Sequence, residues 1–272
     1  MPGMGCNMYE WLDIIEIISQ YSKVIVIHRN GVGNSELTVE TSTTRKASKD
    51  LYCLLEKLDI KDKVILVGHS YGGLCAQHFA KLHPEKVEGV VLAESASVDA
   101  YKFNELDLPQ SDKTQSDEAY MKLWTKYSKC TKEQLKREVK PTLLPKELKL
   151  PKEIQNELLD FYIRPKLYRT LISELNDLRN CWKYMNDIGT FPKVPLKILV
   201  RDPKYSINSM IKEDNIPKSE AEQIEELWQR LSNDLKDLSD KSELKIVENS
   251  GHLIHIDRSD VVAAAIKELI CR

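Results

Sequence analysis

The sequence predicts an α/β domain: a mostly parallel sheet with helices on both faces and one helical insertion. Three observations carry this. Short β-branched apolar runs recur along the chain, and stretches of helical periodicity separate them. A Gly-x-Ser-x-Gly pentapeptide, Gly68-His69-Ser70-Tyr71-Gly72, lies where one apolar run gives way to one helical stretch.

In chain order, residues 11–20 carry Trp11, Ile14, Ile15 and Ile18 on one helical face. Residues 24–27 are β-branched throughout and read as a buried strand. Residues 44–58 read as a helix with Leu51, Leu54, Leu55 and Leu58 on one face. Residues 64–67 read as the second strand. A helix over 71–82 follows, with Cys75, Ala76, Phe79 and Leu82 aligned. Residues 90–92 and 198–200 are further strands, and 244–247 is a weaker one because Lys245 interrupts it. A helix over 261–270 closes the chain. Uninterrupted apolar strands alternating with helices imply a parallel sheet covered on both sides. Residues 96–190 break the rhythm. They are helical in pattern, Lys-rich and punctuated by Pro109, Pro141, Pro145, Pro151 and Pro165, with no strong strand. The expected organisation is a core of 1–95 and 191–272, with 96–190 inserted over one edge of the sheet as a helical lid.

A length of 272 residues suits one such domain, or less readily two small ones. With 42% hydrophobic residues a substantial core is available, and a net charge of −2 gives no case for nucleic-acid or membrane attraction. No secretory leader and no membrane-length apolar run is visible, so a cytoplasmic protein acting on a small molecule is expected. The six cysteines show neither C-x-x-C nor zinc-finger spacing and read as free thiols in a reducing compartment. There is no P-loop, and Gly31-x-Gly33 lacks the third glycine of a dinucleotide turn, so no cofactor and no metal is expected.

The chemistry centres on Ser70. A strand that ends at Gly68 and a helix that begins after Ser70 force a tight turn that leaves the serine exposed and strained. The free N–H groups of the helix start favour an anionic intermediate there. A serine hydroxyl needs a base. His252 follows the last strand in Asn249-Ser250-Gly251-His252, whereas His28, His69, His78, His83 and His255 sit on or beside other elements. The third member, an acid that orients the imidazole, is assigned to Asp202 in the loop after residues 198–200. Glu94, after the strand at 90–92, is the alternative acid; Asp187 and Asp257 are weaker candidates.

Ser70, Asp202 and His252, in that order and those contexts, resemble the α/β-hydrolase superfamily over nearly the whole chain. Asn30-Gly31-Val32-Gly33-Asn34-Ser35 resembles the family's Gly-x-Gly-x-Ser turn. Pro2-Gly3-Met4-Gly5, with Tyr9-Glu10-Trp11 after it, resembles its oxyanion loop, and Gly251-His252 with Asp257 resembles its closing signature. The resemblance implies that Ser70 attacks a carbonyl, His252 moves the proton and Asp202 holds His252. The backbone N–H groups of Tyr71 and Met4 would bind the oxyanion. The sequence departs from the family in two ways. Pro2 stands where a histidine is common, and the chain starts at the oxyanion loop. The family has a central strand before that loop, between the strands equivalent to 24–27 and 64–67. Its absence leaves two rows of backbone groups unpaired, at about 1–3 kcal/mol for each buried group. The expectation is impaired folding and weak activity, unless the sheet closes across the gap.

The expected function is hydrolysis of a small or medium ester, with amide, thioester or C–C substrates open. The alternative is a truncated or degenerate, non-catalytic ligand-binding protein. Residues 122–152, with ten Lys/Arg against three Glu, read as a solvated helical surface. Met121, Leu123, Trp124 and Tyr127 suit either a substrate pocket or packing between helices. Ile224, Leu227, Trp228 and Leu231 read as a packing face.

Overall fold

The computed structural model describes residues 1–145 and 147–272. Four strands, β1 (Val64–Ser70), β2 (Val87–Ser95), β3 (Leu196–Arg201) and β4 (Ser242–Val247), form one parallel sheet in the order β1-β2-β3-β4. Their apolar composition follows from their position. β3 is buried at every residue, and β2 at every residue but one.

Before β1 lie α1 (Leu12–Ile18) and α2 (Thr44–Lys57); α3 (Tyr71–Leu82) joins β1 to β2. Between β2 and β3 the regular structure of the described residues is helical. It comprises α4 (Asp112–Gln115), α5 (Asp117–Tyr127), α6 (Lys132–Val139), α7 (Lys152–Phe161), α8 (Pro165–Asn180) and α9 (Trp182–Met185), with short 3₁₀ turns. After β3 come α10 (Pro203–Lys212) and α11 (Lys218–Asp234), and after β4 come α12 (Ile254–Asp257) and α13 (Ser259–Ile270).

Alternation along β2 divides the core. Val90 and Leu92 face Leu51 and Leu55 of α2 and Ala76 and Phe79 of α3. Val91 and Ala93 face Ile14 and Ile18 of α1 and Val262 and Ile266 of α13. The helices between β2 and β3 have their own centre, with Leu135, Phe161, Leu167 and Leu171 packed against Val32. No described helix is long and apolar enough to cross a membrane.

One expected element is corrected. Residues 24–27 form no ladder, and Ile25 is 38% exposed. The reason is the absence of a neighbour. A cavity of about 570 Å³ lies between these residues and the free edge of β1, so the sheet does not close across it.

Burial also makes the fold acid-sensitive. Desolvation pushes His28 and His78 down from 6.5 to about 4, and His69 well below its ordinary value. Between pH 6.5 and 4 the unfolded chain takes up protons that these folded imidazoles refuse. Their contribution to stability is therefore intact above that window and is lost as pH falls through it. Urea midpoints are expected to fall steadily across the lower range, from pH 6.5 to 4.5. A flat profile across the lower range would contradict this burial.

Candidate active site

Ser70 ends β1 and caps α3 with φ 52° and ψ −124°, a conformation that L-residues rarely adopt. Such a residue stores about 1–3 kcal/mol and persists only where its surroundings hold it. Gly68 makes the turn possible, because a Cβ there would lie 2.5 Å from Gly72 O. The turn puts Ser70 beside His252 in a pocket of about 210 Å³, with Ala96, Tyr101, Phe103 and Trp228 among its walls.

Glu94 reaches the site through a bulge. His69 pairs with Ala93 and Ser70 with Ser95, so Glu94 is the extra residue of β2, and it too has φ 52°. It is buried, and its Oε2 lies 3.3 Å from His252 Nδ1. Oε1 accepts from the Arg201 backbone N–H at 2.6 Å and from Trp228 Nε1 at 3.1 Å. The Arg201 guanidinium, 3.7 Å from Glu94 Oε2, is itself paired with Glu225 at 2.8 Å.

Asp202 lies elsewhere. It is the N-cap of α10, where Oδ1 accepts from the backbones of Lys204 at 2.9 Å and Tyr205 at 3.3 Å, and Oδ2 accepts from Asn249 N at 3.2 Å. Partial burial opposes its charge, but these three N–H groups outweigh burial and hold its pKa below the usual carboxylate value. The structure thus brings together Ser70, His252 and Glu94, and keeps Asp202 in a capping role one loop away.

His252 is positioned by its backbone. Gly251 N donates to Asp257 Oδ2 at 2.8 Å, and His69 Nε2 lies 2.7 Å from His252 O. A carbonyl can only accept, so His69 carries its proton on Nε2. His69 is buried and does not line the pocket; its ring lies tilted against buried His255 at 4.3 Å.

Gly3 lies against His69 and Ser70. A Cβ on Gly3 would come within 2.7 Å of His69 Nδ1 and 3.1 Å of Ser70 Cβ, so glycine allows this close approach. Buried Arg29 holds the loop, donating to Pro2 O and, at 3.1 Å, to Gly3 O. In a trans peptide the C=O and the following N–H point oppositely, so this grip turns the N–H groups of Gly3 and Met4 away from Arg29. Arg29 is in turn clamped by Glu174 of α8 at 2.7 and 3.0 Å. Arg29→Gln leaves Glu174 uncompensated and is expected to lower stability by about 3–5 kcal/mol. Chemical denaturation of this variant against Arg29→Met/Glu174→Leu checks it, since the double replacement should recover most of the loss.

Sequence reasoning missed four contributors. In sequence Trp228 reads as part of a packing face, yet its N–H holds Glu94 and its ring stands edge-on to His252 at 5.3 Å. Tyr101 and Phe103 line the pocket from a 3₁₀ turn that has no periodic signal. Arg29 lay beside the Gly31-x-Gly33 turn without a visible partner, because Glu174 is 145 residues away. Of the apolar residues left between two roles, Trp124 and Tyr127 pack on the cluster around Leu135 and Phe161.

The family profile described as the alpha/beta hydrolase fold matches residues 1–131. The chain is 34% identical over 94 residues to a pimeloyl–acyl-carrier-protein methyl ester esterase of Wigglesworthia glossinidia brevipalpis, covering 35% of this chain and 34% of that protein. It is 31% identical over 108 residues to an abhydrolase domain-containing protein of Caenorhabditis elegans, covering 39% and 23% respectively. These matches therefore span about a third or less of those relatives' own lengths. The crystal structure of a probable hydrolytic enzyme from Pseudomonas aeruginosa superposes with a TM-score of 0.66 at 17% identity, covering 99% of this chain and 83% of that one.

Proposed function

This chain has the α/β-hydrolase fold, and from that premise we propose that it is a serine hydrolase of small carboxylic esters, working through an acyl-enzyme on Ser70. One observation carries the reading: a strained Ser70 shares a pocket with His252, whose Nδ1 meets the buried carboxylate of Glu94. In this reading Ser70 Oγ attacks the ester carbonyl while His252 Nε2 takes its proton. Glu94 accepts the Nδ1–H, keeps the ring in the productive tautomer and stabilises the imidazolium. The backbone N–H groups of Tyr71 and Met4 serve the oxyanion. His252 then returns the proton to the departing alkoxide, and water repeats the sequence to free the acid.

Glu94, rather than Asp202, is the acid on this geometry. The pocket volume of about 210 Å³ and its aromatic walls favour a short acyl group. The helices within 96–190 act as the cover of that pocket, because Leu178 and Arg179 of α8 also line it.

The test is labelling with a fluorophosphonate probe together with turnover of p-nitrophenyl acetate, butyrate and octanoate. The expected result is labelling of the wild-type chain and none of Ser70→Ala, with turnover falling as the acyl chain lengthens. Labelling that survives in Ser70→Ala removes Ser70 as the nucleophile. No labelling and no turnover in a folded wild-type chain would favour a non-catalytic ligand-binding protein, the reading that the free edge of β1 supports.

A further inference from the structure

Two buried acids on α8 take no part in the reaction itself. Glu174 and Asp177 are three residues apart, so they share one face of the helix, and they are 1% and 6% exposed. Burying a carboxylate is unfavourable unless charge and hydrogen bonds offset it, and an apolar seam would join α8 to the core as well.

Each acid leads to one of the two backbone N–H groups assigned to the oxyanion. Glu174 clamps Arg29, whose guanidinium donates to Pro2 O and, at 3.1 Å, to Gly3 O. Gly3 C=O and Met4 N–H belong to one planar peptide, so a bond at one end orients the other. Asp177 Oδ2 accepts from the Tyr71 hydroxyl at 2.8 Å and from Thr44 N at 2.8 Å, and Oδ1 accepts from the Tyr184 hydroxyl. Thr44 opens α2 and Tyr184 lies on α9, so neighbours on both sides fix this carboxylate. Tyr71 is buried and begins α3, and its stiff side chain ties the hydroxyl to the backbone N–H at its other end. Burial pushes that hydroxyl well above its ordinary value of 10.0, so it remains a donor.

The two anchors also meet. The Arg29 guanidinium lies 5.2 Å from the centre of the Tyr71 ring. A Cβ on Gly72 would collide with Pro2 O, so the loop rests on the first turn of α3. Leu178, next along α8 from Asp177, is a wall of the Ser70 pocket.

We propose that α8 is the positioning element of the oxyanion site: Glu174 sets Met4 N–H through Arg29, and Asp177 sets Tyr71 N–H through the Tyr71 hydroxyl. The proposal deepens the serine-hydrolase reading and rests on it for its chemistry. Neither acid lines the pocket. Each fixes a donor before the oxyanion forms, where a misplacement of about 1 Å lowers the rate on the order of a hundredfold. The helix that walls the acyl group is thereby the one that aims the donors.

The experiment uses three variants of the full chain. Tyr71→Phe keeps the ring and leaves Asp177 its other two donors. Arg29→Met/Glu174→Leu removes the clamp without stranding a charge. Ser239→Ala removes a hydrogen bond to Val194 O, 2.8 Å long, at the opposite end of the sheet, and controls for lost stability alone. With p-nitrophenyl butyrate, kcat is expected to fall about tenfold or more in the first two, with KM within about twofold of wild type. Ser239→Ala should lower Tm and leave kcat unchanged. Crystal structures should show Tyr71 N displaced in Tyr71→Phe and Met4 N displaced in the double variant, each by about 0.5–1 Å. Unchanged kcat in both variants would overturn the proposal. So would an equal fall in Ser239→Ala, or both amides remaining in place. A wild-type chain without turnover would refute the hydrolase reading instead, and the positions of the two amides would still decide what α8 sets.

Discussion

Ser70→Ala is expected to lower ester turnover by roughly 10³–10⁶-fold, to the level that binding and the oxyanion donors sustain alone. Stability should change little, because Ala fits the same volume and keeps the same backbone demand. Ser70→Gly separates the two roles of the position. It should be as inactive as Ser70→Ala yet up to about 1 kcal/mol more stable, because glycine reaches φ 52° without a Cβ clash. Steady-state kinetics with p-nitrophenyl butyrate and paired urea titrations read both quantities. An active Ser70→Ala would end the assignment of this serine. A Ser70→Gly less stable than Ser70→Ala would show that the elbow is not strained.

The second large effect separates the two carboxylates. Glu94→Gln should reduce kcat by roughly 10²–10⁴-fold with KM little changed. The neutral amide no longer stabilises the imidazolium, and its NH₂ group can force the wrong tautomer on His252 Nδ1. Asp202→Ala should instead reduce kcat by less than about threefold and remove about 1 kcal/mol of stability, the usual loss for an N-cap. The Asn249 N–H that Asp202 also holds lies three residues before His252, so a modest kinetic effect through that loop is consistent with a positioning role. The reverse pattern, with Asp202→Ala inactive and Glu94→Gln active, would overturn the choice of Glu94.

The contrast between these two acids shows what a linear reading can reach. The loop after β3 is a sound place to look for an acid, and Asp202 is there. Yet an aspartate directly before Pro203 is also an N-cap, with its side chain turned back onto Lys204 and Tyr205. Glu94 is selected by a bulge in β2, by the Arg201 backbone N–H on the neighbouring strand and by Trp228 on α11. None of those partners lies within a hundred residues of it in sequence, so no local pattern announces them. The same holds for residues 24–27. Their composition is that of a strand, but a ladder needs a neighbour, and beside them lies the cavity along the free edge of β1.

What the sequence determined by itself was local: the strand–turn–helix elbow at Ser70, the glycine-led loop carrying His252, and the apolar periodicities that became β1 to β4 and the flanking helices. Backbone sterics and side-chain period act over a few residues, so they are legible along the chain. The tertiary structure decided which carboxylate faces His252, which aromatic rings wall the pocket, how Arg29 and Glu174 hold the loop at Gly3, and that β1 keeps an open edge. Those outcomes depend on hydrogen bonds and burial between segments far apart in the chain, where only the packed fold determines which groups meet.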